Sequence, residues 1–487
     1  MRSRRWPWVI ALAALVAGGC YDPHVRARLA CGDHGECPGD QRCVEGICGG
    51  DPSEPDSSIA ILDANLVGPY DLTVHLLGPS VGLVRSTTAG IACGTDCSES
   101  YPRDTQVTLQ VVLSNGSGLR FAGWRGDCSG IDVECVVTID GVKDVSAEFA
   151  PITHNLVFVT RTPISTALGS AAQYDARCNA VASAAGLNSA SGDGFTAWIS
   201  DASSSALQRM NGTGARGFVR MDGLPFTASM NDLVVRNAIY NPVLYDEGGR
   251  SVGTSSGRLI ATGTAEGGGP GSDCAGWTGG GNLTLGLSTG GPRLWTSSSA
   301  VQCAQMATAQ IYCMQHTRNA TLDLLPQAGP TTRAVFLSKA RHSPGAGRDS
   351  VDAVCASEAP VGPTIFKALL PRGIMPASAL LDASVTYTTM SGQLVGRGLE
   401  LINAQQLHTG IWEHADGSFF DELPPAAPEV LTGGSSLTMS GASSCAELTQ
   451  TSGDMRYGIA VDAWLWWNRL GVSTACSRPL LLYCVQQ

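Results

Sequence analysis

The residues with the best-defined chemistry in this chain are its 17 cysteines. Cys20 stands apart. The others fall into four blocks of four: Cys31, Cys37, Cys43 and Cys48; Cys93, Cys97, Cys128 and Cys135; Cys178, Cys274, Cys303 and Cys313; Cys355, Cys445, Cys476 and Cys484. Even, clustered sets read as disulfides formed in an oxidising compartment. Zinc ligation calls for paired C-x-x-C spacing with histidines nearby, and no block has it. Other candidate chemistry is sparse. Gly253-Thr254-Ser255-Ser256-Gly257 spells a nucleophile elbow, but an elbow needs a buried strand before it and a helix after it. Here Asp246-Glu247-Gly248-Gly249-Arg250 precedes it, so it reads as a loop. His408, Trp412, Glu413, His414 and Asp416 make the one dense titratable cluster. On a strand, Trp412 and His414 share one face and Glu413 takes the other. The expectation is a solvated strand and a turn at Asp416-Gly417, with no metal or acid–base site.

The elements that position these cysteines occur twice. The last two blocks have intervals of 96, 29 and 10 residues and of 90, 31 and 8. Each set follows an apolar run, Leu156-Val157-Phe158-Val159 or Ala334-Val335-Phe336-Leu337. Each has Asp-x-x-Cys, at Asp175 to Cys178 and at Asp352 to Cys355. Each ends on an aromatic–cysteine strand, Tyr312-Cys313 or Tyr483-Cys484. Coincident features in the same order indicate a tandem pair of domains.

Composition narrows the class. A chain of 487 residues allows about three domains. Only 15% of residues are charged and 59 are glycine, which suits a loop-rich extracellular α+β protein. The net charge of −11 argues against a nucleic-acid partner. At the start, Arg2, Arg4 and Arg5 precede an apolar run from Val9 to Val16, too short to span a bilayer. With Ala17-Gly18-Gly19-Cys20 this resembles a bacterial lipobox, although the family prefers Leu where Ala17 stands. The resemblance implies a lipoprotein signal peptide over 1–19 and acylation of Cys20, so that the membrane is a partner through the lipid. Tyr21 after the cysteine, where the sorting rule reserves Asp for retention, implies the outer membrane. The alternative is an ordinary secretory signal that leaves Cys20 unpaired.

Residues 20–50 form a cysteine-rich module too small to bury a useful core, so two disulfides must hold it. Residues 51–68 read as an acidic, proline-bearing linker. From Tyr70 to Phe149 the pattern has period two, with Leu72, Val74 and Leu76, then Val107, Leu109 and Val111, then Val145, Ala147 and Phe149. With Ala89 to Glu99, Phe121-Ala122-Gly123-Trp124, Cys128 and Cys135, residues 69–151 resemble the bacterial internalin-type β-repeat. That resemblance implies Cys93–Cys97 and Cys128–Cys135 bridges, and Trp124 is expected in the core.

Residues 155–316 begin with a strand, then a helix from Ser170 to Ala185 capped by Ser170 and stopped by Gly186. An apolar strand at Phe195 to Asp201 follows, then a long Gly/Ser/Thr-rich loop of the kind that is usually functional. This order, with Phe158-Val159-Thr160, Ala184-Ala185-Gly186-Leu187, Ala197-Trp198-Ile199-Ser200-Asp201 and Gly276-Trp277-Thr278, resembles an uncharacterised family of secreted bacterial proteins with a C-type-lectin-like fold. Residues 333–487 resemble it through the cysteines and end strands. Phe366-Lys367-Ala368-Leu369 stands where Ala-Trp was, and 317–332 reads as the linker between the heads. The resemblance implies nested bridges, Cys178–Cys313 with Cys274–Cys303 and Cys355–Cys484 with Cys445–Cys476.

Sugar-binding C-type lectins hold Ca²⁺ with Glu-Pro-Asn or Gln-Pro-Asp and Trp-Asn-Asp, and neither copy contains these. Calcium takes six to eight oxygens, and only scattered Glu266, Asp273 and Asn282 are on offer, so no cofactor is expected. The functional expectation is a lipid-anchored surface protein that binds an extracellular protein or glycan through long loops with exposed tryptophans. Trp277, Asp273 and Asn282 are the candidate ligand contacts. The alternatives are an enzyme on the same scaffold or a structural envelope lipoprotein.

Overall fold

The computed structural model describes residues 29–30, 42–44, 47–49 and 68–487, apart from 79–81, 89, 189–193, 211–213, 253–257, 325–330, 404–405, 423–427 and 440–444. The signal segment, Cys20, Cys31, Cys37, residues 51–67 and the Gly253 to Gly257 motif lie outside these. The chain divides into two compact units, Met1–Gly68 and Pro69–Gln487. In the first, the strands Leu29–Ala30, Arg42–Val44 and Ile47–Gly49 form an antiparallel sheet in which Cys43 faces Cys48 in register.

The second unit is α+β, with more strand than helix. It opens with two four-stranded sheets over one core. The strand Tyr70–Leu77 pairs in parallel with Lys143–Pro151, which closes the module on itself. The alternation has its physical cause here: Leu72, Val74, Val107, Leu109, Val111, Val145, Ala147 and Phe149 point inward and are buried. Trp124 is also buried. Its indole N–H donates to the carbonyl of Asp132 and its ring meets Phe121 edge-on. Cys93–Cys97 and Cys128–Cys135 are bonded.

The two heads that follow have the same topology. In the first, a five-stranded sheet runs Thr196–Ala197, Tyr312–Met314, Asn155–Val159, Arg216–Arg220, Pro225–Ser229. In the second, the order is Phe366–Ala368, Tyr483–Gln486, Thr332–Leu337, Thr386–Thr388, Leu394–Arg397. The opening strand pairs with the closing one, Phe158 opposite Cys313 and Phe336 opposite Cys484. Asn155–Val159 is buried along its whole length, which explains a continuous apolar run in place of alternation. The apolar segment after Gly194 contributes only Thr196–Ala197 as strand. Phe366–Ala368 occupies the same place despite its different sequence.

The first helix spans Ala171–Ala184 and buries Ala171, Tyr174, Cys178 and Ala182 on one face. Ser170 stands at its N-cap without a side-chain hydrogen bond, contrary to the capping expected of it. At the far end Gly186 is left-handed at φ +72°, and a Cβ there would lie 2.5 Å from the Leu113 carbonyl oxygen of the β-module. The repeated Asp-x-x-Cys now has a cause. Asp175 accepts the Ala197 amide and pairs with Arg209; Asp352 accepts the Ala368 amide and pairs with Arg372. One helix turn later, Cys178 and Cys355 bond to Cys313 and Cys484.

The inner bridges, Cys274–Cys303 and Cys445–Cys476, hold a less common feature. Cys274 to Trp277 and Cys445 to Leu448 are each one left-handed turn, with φ between +47° and +75° at every residue. Left-handed backbone costs a non-glycine residue about 1–2 kcal/mol. The same strained turn at the inner bridge of each head shows that it belongs to the frame the two share. Six disulfides among the described residues mark an extracellular or secreted protein. No helix among those residues is long and apolar enough to cross a membrane.

Residues 317–332 do not behave as a spacer where they are described. The Arg318 amide donates to Asn155, Asn319 bridges to Arg216, and Gly217 backs onto the Ala320 carbonyl. The heads pack directly, and one apolar core joins Trp198, Trp295 and Tyr312 to Trp412, Trp466 and Tyr483. At the seam Gly290 faces Asp462. The Gly291 amide donates to the Val461 carbonyl, and the Ala463 amide donates to the Thr289 carbonyl, both at 2.8–2.9 Å. Counting from Gly286 and Gly458, which each back onto a tryptophan carbonyl, these are equivalent residues. The two heads are therefore related by a local pseudo-two-fold axis.

Two stability changes follow. Ala446→Gly should raise stability by about 1 kcal/mol by relieving left-handed strain, less the entropy glycine adds to the unfolded chain; a lower melting temperature by calorimetry would contradict it. Gly291→Leu should destabilise by about 1–3 kcal/mol, because a Cβ there would already lie 2.4 Å from the Trp412 ring. An unchanged melting temperature would show that the seam is not packed in solution.

Candidate functional site

The expected ligand contacts of the first head do not converge. Trp277 is fully buried, its N–H donating to the Ser200 carbonyl at 2.9 Å and its ring against Tyr174. It is core, not an exposed platform, because the left-handed turn swings it inward. Asp273 accepts the Gly276 amide and caps that turn. Glu266 pairs with Arg293 at 2.8 Å, and Asn282 begins the central strand of a three-stranded sheet, opposite Gln302. Among the described residues no three His, Cys, Asp or Glu side chains gather as a metal site.

The cluster around Glu413 also disperses, but not into solvent as expected. Trp412 is fully buried and donates to the Ile239 carbonyl of the first head. His414 is buried with Nδ1 on the Leu337 carbonyl. Glu413 is 1% exposed and accepts from the Ser391 amide and hydroxyl. The first head closes over Trp412, while Glu413 and His414 are closed off by Ser391 and Leu337 of their own head. Asp416 alone keeps its exposed turn, paired with Lys339.

A groove of about 550 Å³ opens in the second head. One wall is Ile402 and Asn403, at the end of the helix Gly398–Asn403. Ser435, Ser436, Leu437 and Thr438 form another, and Trp464 to Asn468 with Leu470 and Gly471 complete it. Among the described residues no charged side chain lines it. Trp466 is its buried anchor, stacked near Trp467 and Tyr483, and its carbonyl accepts the Tyr483 hydroxyl. Asn468 holds the loop, donating to the Ser435 carbonyl and accepting the Gly471 amide. Leu470 stands 72% exposed at the rim.

Two tryptophans give the groove its character. Trp467 is 5% exposed, and its indole N–H has no acceptor among the described residues. A buried donor left unpaired costs about 1–3 kcal/mol, and this nitrogen has almost no accessible surface. Trp464 is half-buried and is set by the first head. Asp462 accepts the Trp464 amide at 2.9 Å and the Arg258 guanidinium at 3.1 Å, and that guanidinium lies 4.5 Å over the Trp464 ring. Arg258 does not line the groove; it backs the indole.

The first head fills the corresponding place. Counting from Trp295 and Trp466, Arg293 replaces Trp464 and Thr296 replaces Trp467. Arg293 reaches Glu266 and the Asp421 carbonyl of the second head, and Thr296 accepts the Trp198 indole N–H. Gly268 packs against Leu207, Val234 and Trp198. The run Trp464-Leu465-Trp466-Trp467 was the sequence signal for the groove, three tryptophans in four residues. Attention to the better-matched first copy passes over it. Compared with known proteins, the chain matches no family model and no curated sequence.

Glu413 gives a pH prediction. Burial raises its carboxyl above the ordinary range, opposed by hydrogen bonds from Ser391, Thr389 and the Met390 backbone. A carboxyl raised in the folded state binds its proton more tightly there. Its contribution is full below the ordinary glutamate value of about 4.3 and is lost as pH rises through the folded value. Glu413→Gln should therefore be more stable than the parent near neutrality, with the difference shrinking towards pH 4. Melting curves across pH that stay parallel would refute it.

Proposed function

We propose that the chain is a lipid-anchored cell-surface binding protein with no catalytic role. It would be held at the bacterial outer membrane through acylated Cys20, with the cysteine-rich module and an internalin-type β-module carrying two C-type-lectin-like heads. The observation that carries the binding role is the second-head groove: an uncharged, hydroxyl- and amide-lined cleft with tryptophans. Binding sites of this size, about 300–1,000 Å³, are typically apolar with a few placed polar groups. The nested bridges, paired end strands and long stapled loop support the lectin-like assignment. The ligand class at this level is an extracellular protein or glycan.

Two measurements test the reading. Cys20→Ser should move the protein out of the membrane fraction and abolish labelling by a clickable fatty acid; unchanged partition would remove the anchor. On arrays of matrix proteins and glycans, the full chain should give saturable binding that Thr438→Trp, at an exposed groove position, abolishes. Binding to nothing, or binding indifferent to that plug, would remove the binding role.

A further inference from the structure

We propose that the second-head groove takes a neutral saccharide directly on its indoles, amides and hydroxyls, and that the first head presents the key aromatic ring. This rests on the binding role argued above and assigns its ligand class. A sugar ring has an apolar C–H face and an equatorial fringe of hydroxyls. The groove offers the complement of each: the half-buried indole of Trp464 and, in the same lining, the hydroxyls of Ser436 and Thr438 with the amide of Asn403. The two hydroxyls bond each other at 3.2 Å, and the amide donates one hydrogen to the Leu399 carbonyl and keeps its oxygen and second hydrogen. Trp467 adds a second indole to the lining.

Charge separates this ligand from its rivals. Sulfated or uronic-acid glycans need cations at the site, and no Lys or Arg among the described residues lines the groove. Arg456 is near, its Nη1 3.7 Å from where a Cβ on Gly471 would stand, but that nitrogen is buried and Arg456 is not among the lining residues. A chain of net charge −11 also repels polyanions at long range. Direct recognition follows from the donor set, since no carboxylate among the described residues lines the groove to hold a bridging cation.

The role of the first head follows from Arg258. Its guanidinium covers the Trp464 ring and is fixed by Asp462, 1% exposed at the pseudo-two-fold axis. Arg258 is a positioning residue: it touches the ring that touches the sugar. The indole is thereby set before a ligand arrives, which lowers the ordering cost of binding.

Affinity electrophoresis of the detergent-solubilised full chain tests the assignment, in native gels containing dextran, mannan or galactomannan (neutral) and alginate or heparin (acidic). Retardation is expected in a neutral gel and unchanged by EDTA. Trp464→Ala should weaken it about tenfold, the loss of one aromatic contact, and Thr438→Trp, which fills the cleft, should abolish it. The Thr438 plug stands on an exposed side chain, so it reports even if Trp464→Ala misfolds. Arg258→Ala should weaken retardation and Arg258→Lys should recover most of it, at constant melting temperature. Retardation only in acidic gels, loss with EDTA, or Arg258→Ala binding as the parent does would overturn the proposal. Plug-sensitive binding to a protein alone would overturn the saccharide and keep the binding role; no plug-sensitive binding of any kind would overturn both.

Discussion

Each head depends on one join, the antiparallel pairing of its first strand with its last. Phe158 lies opposite Cys313 and Phe336 opposite Cys484, and a bridge from the first helix lands on that same cysteine. The join brings together residues more than a hundred positions apart, so everything between leaves and returns to one place. A bridge closing 135 or 129 residues constrains the unfolded chain by roughly 4–5 kcal/mol in the entropy picture. The inner bridge then fixes the base of the excursion on a left-handed turn. Loops of this length would otherwise be hard to order, and their ordering lets a cleft persist on one of them.

The second constraint is the seam. Gly291 to Val461 and Ala463 to Thr289 are reciprocal hydrogen bonds between equivalent positions, the signature of an isologous two-fold interface. Here both partners belong to one chain. Equivalence at the axis has not kept the surroundings alike. Trp412 reaches into the first head, where Gly291 leaves room and the Ile239 carbonyl accepts its N–H. Arg220, fully buried, donates to the Pro242 and His408 carbonyls and so ties both heads at once. A fused pair can diverge in this way because each half always meets the same partner.

Much of the frame was legible in the sequence because its signals are covalent or periodic. Twelve cysteines in three fours, a twice-used Asp-x-x-Cys and the period-two runs of 69–151 each follow from geometry that leaves few alternatives. What escaped was decided by tertiary packing. Glu413 and His414 look like a solvated strand because nothing local shows that Ser391 and the Leu337 carbonyl, 22 and 77 residues away, close over them. Trp277 looks like a platform because positive φ at Cys274, Ala275 and Gly276 is not written in side-chain types, except at the glycine. The segment after His316 looks like a spacer, since backbone hydrogen bonds such as Arg318 to Asn155 have no sequence signature.

The same reasoning explains why the groove was hidden while its residues were plain. Three tryptophans in four positions most often mean core, and Trp466 is core. What distinguishes Trp464 and Trp467 is what stands around them: Arg258 from the other head behind one, and no acceptor among the described residues for the other. In the first head Arg293 and Thr296 hold those positions, each already engaged within the protein. The difference between the heads is therefore one of filling: in the first, the Arg293 side chain reaches across to Glu266 and the Asp421 carbonyl, and in the second a cation from the other head supports a ring that stays half-buried.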